Sequence, residues 1–376
     1  NQVPVAANSG VTGNYTNGLF TSVTVCVPGT TNCTTIDNVL VDTGSYGLRL
    51  LSSSLASLPL PVSKAPDGNP LGECIAYVST YNWGPVATAD LKLGGETSAA
   101  VPIQVMGASG FPGAPSACTT GGLTETDTQQ SLGANGILGI GVFRYDCGPG
   151  CSSDQGGNPA NIPPVYFSCP SSGCTETLIP LADEVQNPVS LFAKDNNGEM
   201  ISLPGIADAG AASVDGTMTF GIGTQSDNQL TGLTVIGANQ GFGDFETIFN
   251  GHTYQNSVID SGSNANFFLD AQTLSIPTCS DGNSGFYCPG GTSAIPYEAT
   301  NVSADGQTSA TASWKVANAQ NLFNTGNFAF DNLAGPAPNS FDFGLSFFFG
   351  KTIAIGLNGA QASSNGNTYV GPFYGY

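Results

Sequence analysis

Positive charge is scarce in this chain. Its 376 residues include 7 lysines and arginines against 27 aspartates and glutamates, and the formal net charge is −20 at pH 7. Nucleic acid phosphates and anionic membrane surfaces repel such a protein, so we exclude both as partners. The acidity fits either a secreted protein selected for solubility or a protein that works at low pH, where exposed carboxylates are protonated. No apolar run is long enough to span a bilayer, which predicts no membrane insertion.

The residues of several common catalytic and metal sites are also missing. The chain has one histidine, His252, and no Cys-x-x-Cys spacing, so we predict no metal site. It has no Gly-x-Ser-x-Gly motif, which argues against a Ser-His-Asp hydrolase. The Gly221-x-Gly223 pair lacks a strand–turn–helix context, so no nucleotide site is expected. We predict no cofactor.

Glycine, in contrast, is abundant. The chain holds 51 glycines, about twice the usual share, together with many serines, threonines and asparagines. It has no long stretches of helical periodicity, and its short apolar runs between turn residues are typical of all-β proteins. A chain of this length is large enough for two domains.

The cysteines are a second compositional signal. The ten cysteines are even in number and most lie close to another, which predicts five disulfides and an oxidising compartment. We therefore expect a secreted or periplasmic protein. The short spacings favour the pairs Cys26/Cys33, Cys147/Cys151, Cys169/Cys174 and Cys279/Cys288, with Cys74 and Cys118 left over. Within residues 147–174 crosswise pairing is also possible, so the connectivity there stays open.

One pattern occurs twice along the chain. Val39-Leu40-Val41-Asp42-Thr43-Gly44-Ser45 is matched in the second half by Ser257-Val258-Ile259-Asp260-Ser261-Gly262-Ser263. Each apolar run is typical of a buried strand, and the acid at its end lies where desolvation shifts a pKa. The repetition predicts two related lobes.

Each acidic loop is followed downstream by a hydrophobic segment that closes on glycine, at residues 135–141 and 341–350. Paired Asp-Thr/Ser-Gly-Ser loops with such segments resemble the pepsin-like aspartic peptidases, in which the segment crosses behind the acidic loop of its own lobe. The extra cysteines and the ending at residues 371–376 look closer to a bacterial secreted branch of that family.

The resemblance implies an all-β, bilobal fold with an active-site cleft between two related β lobes. We place the N-terminal lobe, with the Asp42 loop and the flap, at residues 1–195, and the C-terminal lobe, with the Asp260 loop, at residues 196–376. The resemblance also implies an aspartic endopeptidase that activates water at a two-Asp dyad and hydrolyses peptide bonds of proteins at acidic pH. The alternative is a catalytically silent binding or inhibitor protein on the same fold.

Three kinds of residue are expected to support each acid. A glycine lets the loop turn tightly and brings backbone N–H groups near the carboxylate. A serine is placed to hydrogen-bond the outer carboxylate oxygen and lower its pKa, and a further hydroxyl adds hydrogen bonds. The glycines are Gly44 and Gly262, the serines are Ser45 and Ser263, and the further hydroxyls are those of Thr43 and Ser261.

A hairpin between residues 73 and 95 corresponds to the flap that closes over substrate in this family. We predict one strand through residues 75–78 and a tip around residues 80–84. Counting back from Gly94 places Tyr77 at the flap tyrosine, with Tyr81 and Trp83 as fallback candidates.

Two apolar residues and one cation complete the predicted substrate site. Leu40 and Ile137 are expected to form, with Tyr77, an apolar pocket for a polypeptide that a monomeric enzyme binds as an extended strand. Arg49 stands seven positions after Asp42, where the family often has an aromatic residue packed against the flap tyrosine. It is either a surface strand residue paired with an acid or a cation stacked on or hydrogen-bonded to Tyr77, where it would favour ionised aspartates.

Overall fold

The computed structural model describes residues 1–55, 58–280 and 282–376. Strands dominate this part of the chain, which confirms the all-β class. The first strands are β1 (Gln2–Asn8), β2 (Gly18–Cys26), β3 (Cys33–Asp42), β4 (Tyr46–Leu51), β5 (Leu71–Ala76), β6 (Thr80–Leu93), β7 (Glu96–Met106), β8 (Thr124–Glu125) and β9 (Gly136–Ile140). The middle strands are β10 (Tyr166–Ser168), β11 (Thr175–Glu176), β12 (Gly198–Leu203), β13 (Val214–Phe220) and β14 (Val235–Gly237).

The remaining strands are β15 (Phe245–Phe249), β16 (His252–Ile259), β17 (Asn266–Leu269), β18 (Ile295–Val302), β19 (Ser309–Val316), β20 (Ala334–Gly335), β21 (Ala337–Phe343), β22 (Lys351–Gly356), β23 (Gln361–Ser364), β24 (Asn367–Val370) and β25 (Phe373–Gly375). The α-helices are α1 (Gln129–Leu132), α2 (Ala271–Leu274), α3 (Ala319–Phe323) and α4 (Leu345–Phe348). Short 3-10 helices cover Ser52–Leu55, Thr120–Gly122, Gly148–Cys151, Leu181–Asp183 and Pro188–Leu191. Among the described residues, no helix combines the length and the apolar character that crossing a membrane requires.

The Asp42 loop connects two strands that flank β9. β3 runs parallel to β9, with Leu40 opposite Ile137 and Asp42 opposite Gly139. β4 returns antiparallel along the other side of β9. All five residues of β9 are buried, as is typical of a strand that is covered on both faces.

The Asp260 loop has the same surroundings in the second lobe. β16 runs parallel to β21, with Val258 opposite Asp342 and Ile259 opposite Phe343, and β17 lies antiparallel on the other side of β21. The repeat in the sequence is therefore a repeat in topology, β3–β9–β4 and β16–β21–β17. This confirms the bilobal fold with two related β lobes.

Two glycines explain why both hydrophobic segments close on glycine. A Cβ atom on Gly139 would lie 2.6 Å from the Tyr46 nitrogen, and one on Gly344 would lie 2.0 Å from the Ala265 carbonyl oxygen and 2.6 Å from that of Ser263. Real Cβ atoms essentially never approach closer than 3.0 Å, so a side chain fits at neither position. Each segment thus passes directly against its own acidic loop, as predicted.

A continuous path of paired strands joins the lobes. β1 pairs with β2 and also with β13, from Gln2 opposite Thr219 to Ala7 opposite Val214. The path then continues through β12, β22, β25 and β14, while β15 to β21 form a separate seven-stranded sheet. β1 belongs to the predicted N-terminal lobe but pairs with β13 of the predicted C-terminal lobe. The division into residues 1–195 and 196–376 therefore stays a prediction.

Asn17 adds a second link between the lobes. Its buried amide donates to the carbonyl oxygens of Asn264 and Phe330, both at 2.9 Å, and its side-chain oxygen accepts from the Phe330 N–H at 2.7 Å. Asn17 has a φ of 50°, a left-handed conformation that asparagine tolerates better than most residues. This asparagine therefore fixes residues of the first lobe against the loop that follows Asp260.

An apolar core lies behind each acidic loop. Behind Asp42 it is aliphatic, with Val41 and Leu138 fully buried. Behind Asp260 it is aromatic, with the rings of Trp314, Phe341 and Phe343 at centroid distances of 5.6–6.0 Å. Such offset and edge-to-face packing adds to the stabilisation from burial alone.

The flap hairpin is formed by β5 and β6, but its tip differs from the prediction. β5 ends at Ala76, which lies opposite Tyr81, and the Tyr77 N–H donates to the Thr80 carbonyl oxygen at 2.8 Å. The turn therefore comprises residues 77–79. The tip predicted at residues 80–84 is wrong, because β6 already begins at Thr80 and buries the rings of Tyr81 and Trp83.

The predicted set of five disulfides is confirmed. The pairs are Cys26–Cys33, Cys74–Cys118, Cys147–Cys151, Cys169–Cys174 and Cys279–Cys288. The cysteines of residues 147–174 pair locally, not crosswise. The two left-over cysteines form the bond that ties β5, and with it the flap, to the segment after β7. Five disulfides indicate an extracytoplasmic protein.

These disulfides should contribute unequally to stability. Cys74–Cys118 spans a sequence separation of 44, against 4 for Cys147–Cys151. Because a longer loop removes more entropy from the unfolded chain, replacing each pair by alanines is expected to cost about 4 and about 2 kcal/mol, respectively. Urea unfolding of the two double variants should give a lower midpoint for Cys74→Ala/Cys118→Ala. Equal midpoints would contradict this expectation.

Candidate active site

The first acidic loop holds the Asp42 carboxylate at both oxygens. Asp42 is the last residue of β3 and is 6% exposed. The Gly44 N–H donates to Asp42 Oδ1 at 2.8 Å, and the Ser45 hydroxyl donates to Asp42 Oδ2 at 2.6 Å. These two donors fix the plane of the carboxylate.

The second acidic loop repeats this arrangement. Asp260 directly follows β16, and the Gly262 N–H donates to Asp260 Oδ1 at 2.8 Å. The Ser263 hydroxyl lies 2.9 Å from Asp260 Oδ2. Corresponding donors thus approach corresponding oxygens in both loops.

Four hydrogen bonds connect the loops to each other. The Thr43 hydroxyl donates to the Ile259 carbonyl oxygen at 3.0 Å and accepts from the Ser261 N–H at 2.9 Å. Reciprocally, the Ser261 hydroxyl donates to the Val41 carbonyl oxygen at 2.7 Å and accepts from the Thr43 N–H at 3.2 Å. Each hydroxyl therefore bridges two backbone groups of the opposite loop, on either side of the opposite acid. Thr43 and Ser261 make these bonds at almost complete burial.

The cross-loop bonds bring both carboxylates beside the same glycines. A Cβ atom on Gly262 would lie 2.5 Å from Asp42 Oδ1 and 3.2 Å from Asp260 Oδ1, and one on Gly44 would lie 2.6 Å from Asp260 Cγ. Asp42 Oδ1, which accepts the Gly44 N–H, therefore faces the opposite loop. Any side chain at either glycine would occupy the space of a carboxylate.

The two acids interact electrostatically. Burial raises the pKa of Asp260 well above its usual value, and the charges of Asp42 and Asp342 raise it further. The hydrogen bonds from Gly262 and Ser263 lower it by less. The nearby carboxylates thus make Asp260 harder to ionise.

Two phenols lie in the field of the same pair. Burial is the main cause that raises the pKa of Tyr15, to about 12, and the pKa of Tyr46. The charges of Asp42 and Asp260 raise both further. These tyrosines therefore stay protonated and neutral in acid and at neutral pH.

A cavity of about 490 Å³ connects the acidic loops with the flap turn. It is lined by Asp42, Gly44, Ser45, Tyr46, Arg49, Ile75, Ala76, Tyr77, Val78, Ser79, Asp146, Asp260, Gly262 and Ser263. The Val78 side chain is fully exposed at the tip of the turn. Both acids and the flap thus face one open space.

The predicted apolar pocket residues lie together beneath this space. Leu40 and Ile137 are 6% and 4% exposed and belong to one apolar cluster, against which Tyr77 packs. Their contact with a substrate stays a prediction.

The structure does not bring Trp83 to the cavity. Its ring packs against Phe111 and Phe167, and its indole N–H donates to the Pro112 carbonyl oxygen at 2.8 Å. The fallback candidate Tyr81 lies in the same cluster. Of the aromatic flap candidates, Tyr77 alone lines the cavity within the described residues.

Arg49 is buried, not on the surface. Its guanidinium lies 2.7 Å from Glu73 and 3.0 Å from Asp146, and it donates to the Tyr46 carbonyl oxygen at 2.6 Å. Burial lowers the pKa of Arg49, but the charges of Glu73 and its other neighbours raise it above its usual value on balance. The predicted pairing with an acid is therefore present, and the predicted surface position is wrong.

Arg49 acts on Tyr77 through its charge alone. Within the described residues the buried Tyr77 hydroxyl makes no hydrogen bond with Arg49, and no stacking of Arg49 on the ring is found. Burial raises the pKa of Tyr77, and the charge of Arg49 opposes this rise. Neither the predicted stacking nor the predicted hydrogen bond is formed.

The sequence analysis did not identify three acids of the site. Glu73 and Asp146 meet Arg49 from elements distant in sequence, and no local pattern announces them. Asp342 had a visible signal, because it is the one acid inside the otherwise apolar segment 341–350. Its side chain contacts Ser263 at 2.5 Å.

The fold has a counterpart among solved structures. The chain is similar to the crystal structure of aspartic proteinase from Irpex lacteus, with a TM-score of 0.51 over 100% of this chain and 96% of that chain. The sequence identity is 14%, so the similarity establishes a shared pepsin-like fold. The chain belongs to the family described as protein of unknown function (DUF3443), whose profile matches residues 1–376. No curated protein matches the sequence.

The cross-loop bonds can be tested at Ser261. Ser261→Ala leaves the buried Thr43 N–H without its partner, so the free energy of unfolding should fall by about 1–3 kcal/mol. Urea unfolding measures the change. Ser261→Thr keeps the hydroxyl and is the matched control, with a stability near that of wild type. An alanine variant as stable as the threonine variant would show that these bonds do not hold the loops.

The buried charge cluster makes a second prediction. Arg49→Met leaves Glu73 and Asp146 without a cation, so the free energy of unfolding should fall by about 3–5 kcal/mol at pH 7. Burial, followed by the charge of Glu73, raises the pKa of Asp146. The folded state therefore holds a proton that the unfolded chain loses, and stability falls as pH rises. The loss caused by Arg49→Met should accordingly be smaller at pH 4.

The matched control for this variant removes the two negative charges as well. Arg49→Met/Glu73→Gln/Asp146→Asn should recover most of the lost stability at pH 7, because no uncompensated charge remains. A loss that is the same at pH 4 and pH 7, or that persists in the triple variant, would assign it to packing and not to charge.

Proposed function

We propose that this chain is an aspartic-type endopeptidase that hydrolyses peptide bonds of proteins in acid. The observation that carries the proposal is the matched pair of acidic loops. Asp42 and Asp260 receive the same two kinds of hydrogen bond, and both lie beside Gly262. The pepsin-like fold supports the proposal at the level of architecture.

The chemistry follows from two carboxyls that share one proton. The ionised carboxyl acts as general base on a water molecule, which attacks the carbonyl carbon of the peptide bond. The protonated carboxyl donates a hydrogen bond to the carbonyl oxygen, and a proton from the pair then reaches the leaving amine. The hydrogen bonds from Ser45 and Ser263 hold the carboxyls in the plane that this exchange needs. Because the pair titrates as a unit, we assign neither role to one residue.

The substrate is proposed to lie as an extended strand between the acidic loops and the flap turn. Extended peptides offer backbone N–H and carbonyl groups on both edges. The turn at residues 77–79 would cover the strand, with the exposed Val78 at its tip and Tyr77 above the cluster of Leu40 and Ile137. A monomeric, secreted protein is part of this proposal, and the five disulfides favour its extracytoplasmic location.

The proposal is tested by replacing either acid. Asp42→Asn and Asp260→Asn keep the shape of the side chain but prevent proton exchange, so cleavage of denatured haemoglobin or casein should fall by at least about 10²-fold. Cleavage is followed from pH 2 to 7, with and without pepstatin, and urea unfolding checks that both variants fold. Asp215→Asn is the matched control, because Asp215 is an exposed acid on β13 that does not line the cavity.

Either single variant cleaving at the wild-type rate would overturn the mechanism. A wild-type protein that folds but cleaves nothing at any of these pH values would favour the alternative, a binding or inhibitor protein on the same fold.

A further inference from the structure

A third carboxyl reaches the site from β21. Ser263 Oγ lies 2.9 Å from Asp260 Oδ2 and 2.5 Å from Asp342 Oδ2. A serine hydroxyl has a single proton and donates it to one acceptor at a time. When both contacts are full two-centre hydrogen bonds, one of the two carboxyls must itself carry a proton and donate to Ser263. The geometry therefore requires a proton that is additional to the serine's own.

The first lobe has no such group. Ser45 contacts Asp42 Oδ2, and no second carboxylate of the described residues accepts from it. The strand register shows why: Asp342 lies opposite Val258, where the first repeat has Ile137 opposite Leu40. The third acid is thus a departure from the symmetry of the two loops.

The groups that face Asp342 are acidic or phenolic. Asp260 follows the adjacent β16, Asp42 belongs to the loop of the first lobe, and Tyr374 comes from β25. The neighbouring β17, Asn266–Leu269, carries no titratable side chain, and the histidine and tyrosine of β16 are near its opposite end. None of the ion pairs among the described residues involves Asp342.

This environment favours a protonated Asp342. Its Oδ1 atom is buried without a hydrogen-bond partner, which is costly for a carboxylate. Burial raises the pKa of Asp342 to about 7; the Ser263 hydrogen bond lowers it and the charge of Asp42 raises it. Three carboxyls without a cation hold protons to a higher pH than two do, since each negative charge raises the proton affinity of its neighbours.

We propose that Asp342 is a positioning residue for the acidic pair, which holds a proton and passes it to Asp260 through Ser263. The proton on Asp342 Oδ2 moves to Ser263 Oγ as the Ser263 proton moves to Asp260 Oδ2. Asp342 is then ionised and Asp260 protonated, and no other reactant is needed. The role rests on the proposed peptidase function, because its benefit is a pair that keeps its shared proton toward neutral pH.

The test is the pH profile of kcat/KM for casein cleavage in three variants. Asp342→Asn removes the charge, and its amide can still donate to Ser263. It should keep activity within about threefold of wild type at pH 3–4, while the pH at which activity falls on the alkaline side should drop by about one unit. Asp342→Leu removes the donor too, so its activity in acid should fall below that of the asparagine variant. The exposed Asp215→Asn should keep the wild-type profile.

An alkaline limb that stays in place or moves upward in Asp342→Asn would overturn the proposal. Equal activity of the asparagine and leucine variants in acid would likewise overturn the hydrogen-bonding role. A purely structural role would lower activity at all pH values without moving the limb.

A second measurement does not need activity. Because the pKa of folded Asp342 is raised above its value of about 3.9 in the unfolded chain, the stability of wild type should decline between about pH 4 and pH 7. Asp342→Asn should decline less steeply in urea unfolding over this range. If wild type cleaves nothing, the peptidase proposal fails, and this comparison still decides whether Asp342 holds the proton. Equal slopes would show that it does not.

Discussion

The four hydrogen bonds that the Thr43 and Ser261 hydroxyls make with the backbone of the opposite loop are the constraint on which the rest of the site depends. They tie together backbone groups on both sides of each acid, so the acids are placed by neutral hydroxyls and not by their own interaction. Two carboxylates repel each other at short distance. A frame that is independent of their charge can hold them together in any protonation state. Gly44 and Gly262 must be glycines, because a Cβ atom at either position would overlap a carboxylate.

Two groups of acids lie near this frame, Glu73 with Asp146 and Asp342 with Asp260, and their negative charges are compensated differently. Glu73 and Asp146 share one cation, Arg49, beneath the flap. Asp342 has no cationic partner among the described residues, and burial, together with the charge of Asp42, raises its pKa to about 7. Taking carboxylates out of water is costly unless they are paired or protonated. A chain with 7 basic residues against 27 acidic ones has few cations to offer, so protonation is the means that remains, and it is available in acid.

The sequence allowed much of this architecture to be predicted. Alternation and apolar runs marked the strands, and the repeated acidic loops marked Asp42 and Asp260 as corresponding residues. Cysteine spacing gave four local disulfides and left the fifth pair by elimination. The flap tip was predicted at residues 80–84 but lies at residues 77–79. A strand and a turn of similar polarity cannot be told apart from sequence, because they differ only in what their side chains pack against. Tyr81 and Trp83 look like exposed aromatic residues until the cluster that buries them is known.

Arg49 and Asp342 are two residues whose roles could not be predicted from local sequence patterns. Each was visible as an exception, a cation within a strand and an acid within an apolar segment, but its meaning depended on partners that are remote along the chain. The sequence by itself determined the elements, the pairs of local cysteines and the chemical types in each loop, because periodicity and turn preferences act over a few residues. The tertiary structure alone decided which acids share a cation, which acids lie near each other and how the two loops interlock, because those contacts join positions up to 220 residues apart.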